Sequence, residues 1–442
     1  MYKCSSYDSK KVSYLPNRFK DIWEKTKNIF NKEIKTISDI NKLFYNGKSI
    51  FFTEIEKSYP EEGLEFIKVY NNIRYLVLNL NELSNGTINI LQSNTKGKIV
   101  LSRKQVALIF ILGFFNIFSL DWRKMQVNYR YVFLNILNSD KGPNLAKGRS
   151  FLNYLTVIGR WIEEKNPLLE ENIYFIRQNK DFDINKFKDI KKLCELEIIE
   201  EGSLFGSEAS FCIDFANMYI GGGALSGGCV QEEILFAVEP EAIVSIFLME
   251  KMEAKDAIRI DNLIKYSKYS GYGRAFKYEG NALKDDKIKR HNIIAIDAIC
   301  SRSGGIEKKY VERDIIKAYV GFDLINLGDK EIPVLKKTIA TGNWGCGAFG
   351  GDFELKFIQQ WLAATHAGVE KLYYYTFQSK QMKFVIANLE KLKALDVEDI
   401  YLRMMGLDLV KGKVLEIILN NKLEKEDLKK NLNNKTESCC LI

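Results

Sequence analysis

A chain of 442 residues exceeds one typical domain, and two domains is the natural expectation. A hydrophobic fraction of 46% supports a large core and excludes global disorder. The net charge of +8 is mild for this length, so charge alone singles out no partner class.

Residues 1–185 read as a mainly helical accessory domain, with apolar residues at helical spacing over 17–30 and 102–115. The longest apolar stretch, residues 106–120, contains Asn116 and Ser119. It is shorter than the roughly 20 residues of a membrane span, so a buried helix is expected. A charged loop follows at 139–149. From about residue 195 the character changes. Short β-rich runs at 211–215, 257–261, 293–299, 336–341 and 372–377 alternate with helical segments. That alternation predicts an α/β domain with a mixed sheet over 186–407. Residues 408–442 are rich in Lys, Glu and Asn and read as a C-terminal helix and tail.

The eight cysteines show no C-x-x-C spacing, and His291 and His366 are the two imidazoles. Reduced thiols and no metal site are therefore expected. Residues 1–30 are polar and lysine-rich, so no secretory signal is expected. The last four residues, Cys439-Cys440-Leu441-Ile442, fit a C-a-a-X box, which predicts weak, reversible membrane association. An incidental cysteine pair on the tail is the preferred reading, since acids interrupt the lysines that precede the box.

Two glycine loops carry the chemistry. Residues 221–233 read G-G-G-A-L-S-G-G-C-V-Q-E-E, with five glycines in eight positions. Such a backbone passes close to a ligand and adopts positive φ freely. It runs into a helix start, where bare N–H groups favour an anion. Glu232 and Glu233 at that point suit acid–base work. The bland reading is a turn and a solvated helix start, where acids are favoured anyway. Upstream, Asp214 and Asn217 close an apolar strand, where an Asx turn is the bland reading. The second loop, T-G-N-W-G-C-G-A-F-G-G-D at 341–352, contains Gly345-x-Gly347-x-x-Gly350. This matches a dinucleotide fingerprint and keeps a nicotinamide-dependent oxidoreductase open as an alternative. That fold wants an acid about 20 residues on, at the end of the next strand. Phe377 and Gln378 stand there instead, and Glu370 precedes the strand.

In order along the chain stand D-F-A-N-x-x-x-G-G-G from Asp214, Q-E-E at 231–233, Y-S-K-Y-S-G-Y at 266–272, the second glycine loop, and Y-T-F at 375–377. On these blocks the chain resembles poly(ADP-ribose) glycohydrolase of the eukaryotic type. The resemblance implies a macrodomain-like three-layer α/β fold preceded by a helical accessory domain. It also implies hydrolysis of the ribose–ribose O-glycosidic bonds of poly(ADP-ribose), without metal or redox cofactor, in the nucleus or cytoplasm. By resemblance Glu233 is the general acid and then the base for water, Glu232 holds ribose hydroxyls, and Asp214 belongs to the catalytic set. Substrate contacts implied are Ile199 and Glu200 at adenine, Asn217, Gly222 and Gly223 near the glutamates, and Gln231 and Tyr269 at the adenosine. Asn343, Gly345, Gly347, Ala348 and Phe349 are implied at the diphosphate, and Phe377 under the adenine-side ribose. Implied partners are poly(ADP-ribose) and ADP-ribosylated proteins, with a monomeric chain and no direct DNA binding. A non-catalytic ADP-ribose reader is a third reading, opposed by the paired glutamates.

Overall fold

The structure is a computed structural model that describes residues 26–79, 90–117, 133–284, 288–301, 306–328 and 335–437. Much of the 17–30 helix and the box at Cys439 lie outside the described residues.

Eight strands form one sheet: β1 (Gly97–Ser102), β2 (Asn172–Asn179), β3 (Glu195–Ile199), β4 (Phe211–Ala216), β5 (Asp256–Ile264), β8 (Arg290–Asp297), β9 (Thr338–Gly342) and β10 (Lys371–Tyr375). Their order is β1-β2-β5-β8-β4-β9-β10-β3. The β1, β2, β5 and β8 contacts are antiparallel, whereas β8, β4, β9, β10 and β3 run parallel. The sheet is mixed, as expected. A separate hairpin joins β6 (Ser267–Ser270) to β7 (Lys277–Asn281).

Both faces of the sheet are covered, and the two-residue side-chain period shows it. On β8, Ile293 and Ala295 enter one core while Ile294 and Ile296 enter the other. The first face carries the N-terminal helices α1 (Ile37–Tyr45), α2 (Ile50–Ser58), α3 (Pro60–Leu78), α4 (Arg103–Phe114) and α5 (Gly142–Glu163), together with α6 (Gln231–Val238). The second carries α7 (Lys308–Asp323), α8 (Phe353–Ala367) and the C-terminal helices. The expected buried helix is α4, buried from Val106 to Phe114. It opens on a capping box in which the Gln105 N–H donates to Ser102 Oγ (3.2 Å) and the Ser102 N–H donates to Gln105 Oε1 (2.8 Å). Among the described residues no helix is long and apolar enough to cross a membrane.

The N-terminal region departs from expectation in contributing β1 and β2 to the sheet. The apolar run of β2, from Ile173 to Ile176, is too short for periodicity to tell strand from buried helix. β1 is only partly buried along its length, so it shows no clean alternation.

Helix α5 fastens the hairpin to the helical layer. The Arg149 guanidinium lies between the rings of Tyr59 (3.8 Å) and Tyr278 (4.9 Å) and donates to both Glu62 carboxylate oxygens (2.6 and 3.1 Å). Asn153 Nδ2 donates to the Tyr266 carbonyl (2.9 Å) at the hairpin's root.

Candidate active site

The site lies at the C-terminal ends of β4 and β9, where the parallel half of the sheet meets helix starts. Asp214 points inward from within β4 and is wholly buried. After Ala216 the chain leaves the sheet and turns through the first glycine loop into α6. Gly221 and Gly222 take φ of 85° and 47° there. Gly222 is glycine for a second reason. A Cβ on it would stand 2.5 Å from Glu232 Oε2 and 2.7 Å from Glu233 Oε1.

The loop holds both glutamates by its N–H groups. Asn217 and Gly221 donate to the two oxygens of Glu232 (2.9 and 2.6 Å). Gly223 and Val230 donate to Glu233 Oε1 and Oε2 (both 2.9 Å). The second of these is the reach-back to the N-cap that a glutamate at N3 commonly makes. The glutamates are 2% and 7% exposed, so this is no solvated helix start. Burial drives Glu232 well above the usual carboxylate range, and the Asp214 and Glu233 charges push the same way against its two N–H donors. Asp214 is also driven well above that range, by burial first and then by the Glu233 charge. Among the described residues neither Asp214 oxygen has a hydrogen-bond partner. Asp214 and Glu232 are thus both disposed to keep a proton where ordinary carboxylates have lost theirs.

The second loop follows β9 and caps α8. Gly345 and Gly350 have φ of 74° and 68°. The Gly351 N–H donates to the Gly345 carbonyl (2.9 Å), and Asn343 Nδ2 donates to the Thr376 carbonyl (2.9 Å). Buried Trp344 donates to the Ile296 carbonyl (2.9 Å), with the Lys356 ammonium 4.5 Å over its ring. A Cβ on Gly345 would meet Ala298 at 2.6 Å, whereas one on Gly347 would meet nothing within 4 Å.

Between the two loops opens a cavity of about 580 Å³, within the range of small-ligand sites. Glu232, Glu233, Asn217 and Gln231 line one side. Asn343, Gly345, Gly347, Ala348 and Phe349 line the other. Tyr269, Tyr272 and Phe377 add aromatic rings to its lining. Phe377 and Gln378 both hold left-handed φ, 50° and 54°, a strained pair next to the cavity.

Several expected residues lie elsewhere. Asp214 stands behind the glutamates rather than on the cavity surface, and Gly222 and Gly223 shape the carboxylates without lining it. Ile199 and Glu200 do not line the cavity either. Their carbonyls accept the Thr376 and Gln378 N–H groups (2.9 and 3.0 Å), so they hold the strained Phe377 turn. Gln231 lines the cavity with its amide already engaged, accepting from the Phe215 N–H (2.8 Å) and donating to the Ile213 carbonyl (2.9 Å). Tyr266 is core, bonded to Glu241 (2.6 Å). Phe215 and Trp344 line the cavity and were not expected to. Strand alternation gives a signal for Phe215, since its neighbour Asp214 faces inward. Lys147, bonded behind the first loop, carried no local signal at all. Among the described residues, no three His, Cys, Asp or Glu side chains stand together as a metal-ligand set.

Two family models match the chain, the helical domain of poly(ADP-ribose) glycohydrolase over residues 60–177 and its macro domain fold over 183–384. Together they account for more than half of it. The chain is 27% identical to poly(ADP-ribose) glycohydrolase 1 of Arabidopsis thaliana, across 66% of this chain and 65% of that protein. It is 32% identical to poly(ADP-ribose) glycohydrolase 1 of Caenorhabditis elegans, across 60% of this chain and 34% of that protein. The match thus spans just under two thirds of the plant relative and about a third of the nematode one. With a helical layer, a macro-fold sheet and paired glutamates behind a glycine loop, the chain belongs to the poly(ADP-ribose) glycohydrolase family.

Proposed function

We propose that this chain hydrolyses the ribose–ribose O-glycosidic bonds of poly(ADP-ribose) and releases ADP-ribose. The observation that carries the reading is the buried carboxylate cluster Asp214–Glu232–Glu233, opening on a cavity whose far side is a glycine loop and whose lining includes aromatic rings. A glycosidic bond needs a proton on its leaving oxygen and a water activated against the resulting oxocarbenium-like carbon. Glu233 donates the first proton as the C–O bond breaks, then takes a proton from the attacking water. Glu232 accepts from ribose hydroxyls and is held for that task by two N–H donors. Asp214, behind both, adds its charge to the burial that holds Glu232 well above the usual carboxylate range. The N–H groups of the second loop face the diphosphate, Tyr269 and Tyr272 the adenine, and Phe377 the adjoining ribose. Ile199 and Glu200 act through Phe377 by fixing its turn. The partners on this reading are poly(ADP-ribose) and ADP-ribosylated proteins, met by a monomer.

The test is incubation of the chain with labelled polymer in excess EDTA, with the products resolved. ADP-ribose should accumulate. Tight ADP-ribose binding with intact polymer would make this a reader. Activity lost to EDTA and restored by magnesium would replace the carboxylate mechanism with a metal-dependent one.

A further inference from the structure

Lys147 projects from α5 into the back of the first glycine loop and is fully buried. Its ammonium donates to the carbonyls of Gly228 (2.7 Å), Ser226 (2.5 Å) and Gly223 (3.4 Å). Three backbone carbonyls thus take the three donors an ammonium offers. Burying a cation is costly unless it is well bonded, and a methionine of similar reach would fill the same space without that cost. The charge therefore serves something other than packing.

What it serves is the shape of the loop. Residues 223–228 double back so tightly that a Cβ on Gly223 would stand 2.8 Å from the Gly228 Cα. Within the turn the Ser226 N–H also donates to the Gly223 carbonyl (2.9 Å), so the turn and the ammonium hold the same oxygen while the Gly223 N–H faces Glu233. Gly223 is gripped on both sides, its carbonyl by Lys147 and its N–H by Glu233 Oε1 (2.9 Å). We propose that Lys147 is a positioning residue for the hydrolysis, gathering the loop carbonyls so that the Gly223 N–H holds the Glu233 carboxylate in its working place. The inference rests on the glycohydrolase reading for its effect on turnover, but not for its effect on the loop. It makes the helical layer part of the site's construction, since α5 supplies the cation.

The electrostatics agree. Burial lowers the pKa of Lys147 to about 8, against the opposing pull of Cys229 and Glu233, the titratable groups that face it. Burial pushes the Cys229 thiol up to about 11, with Lys147 opposing, so near pH 8 it is the ammonium that loses a proton. A neutral amine offers two donors to three carbonyls, and the loop loosens.

The test uses the full chain. Lys147→Met keeps the stem and removes the charge. Amide hydrogen exchange over residues 221–230 should quicken by about tenfold while β9 and α8 exchange as before. That readout needs no activity, so it separates failure of this proposal from failure of the glycohydrolase reading. Single-turnover release of ADP-ribose should fall by about 100-fold, with ADP-ribose affinity changed by less than about threefold. In Lys147→Ala, added propylammonium should restore part of the rate where propanol does not. Unchanged exchange over 221–230 overturns the proposal, as does near-normal turnover in a folded variant. Should neither variant fold, amide exchange of the wild-type loop decides: corrected for the intrinsic rate, residues 221–230 should lose protection as pH rises through about 8 while β9 and α8 keep theirs. Protection of 221–230 that stays level to about pH 10, where an ordinary lysine titrates, overturns the proposal.

Discussion

Glu232 and Glu233 are neighbours on α6 that leave the helix about 100° apart; their carboxylates converge beside Gly222 but are held by different N–H pairs, which fits different tasks. The separation is measurable. Glu233→Gln keeps the N–H bonds from Gly223 and Val230 in part but carries no transferable proton. Turnover should fall by about 10²- to 10⁴-fold, with ADP-ribose affinity unchanged by calorimetry. Glu232→Gln should lose turnover and polymer affinity together. Near-normal single-turnover rates in a folded Glu233→Gln chain would remove the acid from the mechanism. Asp214 yields a second prediction, with its sign fixed by linkage. Asp214 and Glu232 titrate above the ordinary carboxylate range when folded, so the native state keeps protons that the unfolded chain has already released. Stability from this cluster is present in acid and is lost as pH rises through the folded values. Asp214→Asn removes one of the charges and should raise the melting temperature, by little near pH 5 and by more near pH 8. The gain is on the order of 1 kcal/mol for each pKa unit relieved, and catalysis should suffer in exchange. A variant that melts lower at pH 8 would mean the cluster does not repel itself. At this scale the sequence announced the glutamates through Q-E-E after glycines. It could not announce Lys147, which lies 76 residues before Gly223 and meets it only through the packing of α5.

The two glycine loops look alike in sequence and make different physical demands. Gly222 is required by the protein itself, with φ of 47° and two carboxylates where a side chain would go. Gly222→Ala should therefore destabilise the fold by about 1–2 kcal/mol from backbone strain alone. It should also displace both glutamates, with about 100-fold loss of turnover. At Gly347 φ is not positive and a Cβ would meet nothing within 4 Å. Gly347→Val should fold as the parent does, by circular dichroism and melting. Its ADP-ribose affinity should nonetheless drop by about tenfold or more, because backbone N–H groups can no longer approach the diphosphate. Unchanged affinity in the folded variant would move the diphosphate to another part of the cavity. Sequence could mark both loops as close-approach backbone. It could not say which glycine answers to the protein and which to a ligand, because that depends on what lies across the turn. The same limit hid the role of Ile199 and Glu200, whose carbonyls brace the strained turn at Phe377 through parallel pairing of β3 with β10.

Across the whole molecule, β4, β5, β8, β9 and β10 were legible because each is a short apolar run between turn signals; β3, broken by Glu195 and Glu197, was not. Nor was the antiparallel edge. β1 is half-exposed, and the apolar stretch of β2 is short enough to be either strand or helix. That edge decides how the parts are joined. β2 pairs with β1 on one side and with β5 on the other, so the N-terminal region is sewn into the sheet rather than set beside it. The first core agrees, running from Phe30 and Phe51 in the helical layer through Ile173 of β2 and Leu235 of α6 to Ile293 of β8 without a break. Residues that share one core and one ladder lose their packing together, so the helical layer and the sheet should unfold as a unit. Calorimetry of the full chain should show a single main transition. A fragment beginning at residue 183 would lose β1 and β2, expose β5 as a long apolar edge and uncover the helix-facing side of β8. It should be expressed in an aggregating or unfolded state and should lack the Lys147 clasp on the glycine loop. Two resolved transitions in the full chain, or a soluble 183–442 fragment that melts as the parent does, would show that the layers stand independently and that the edge strands are dispensable.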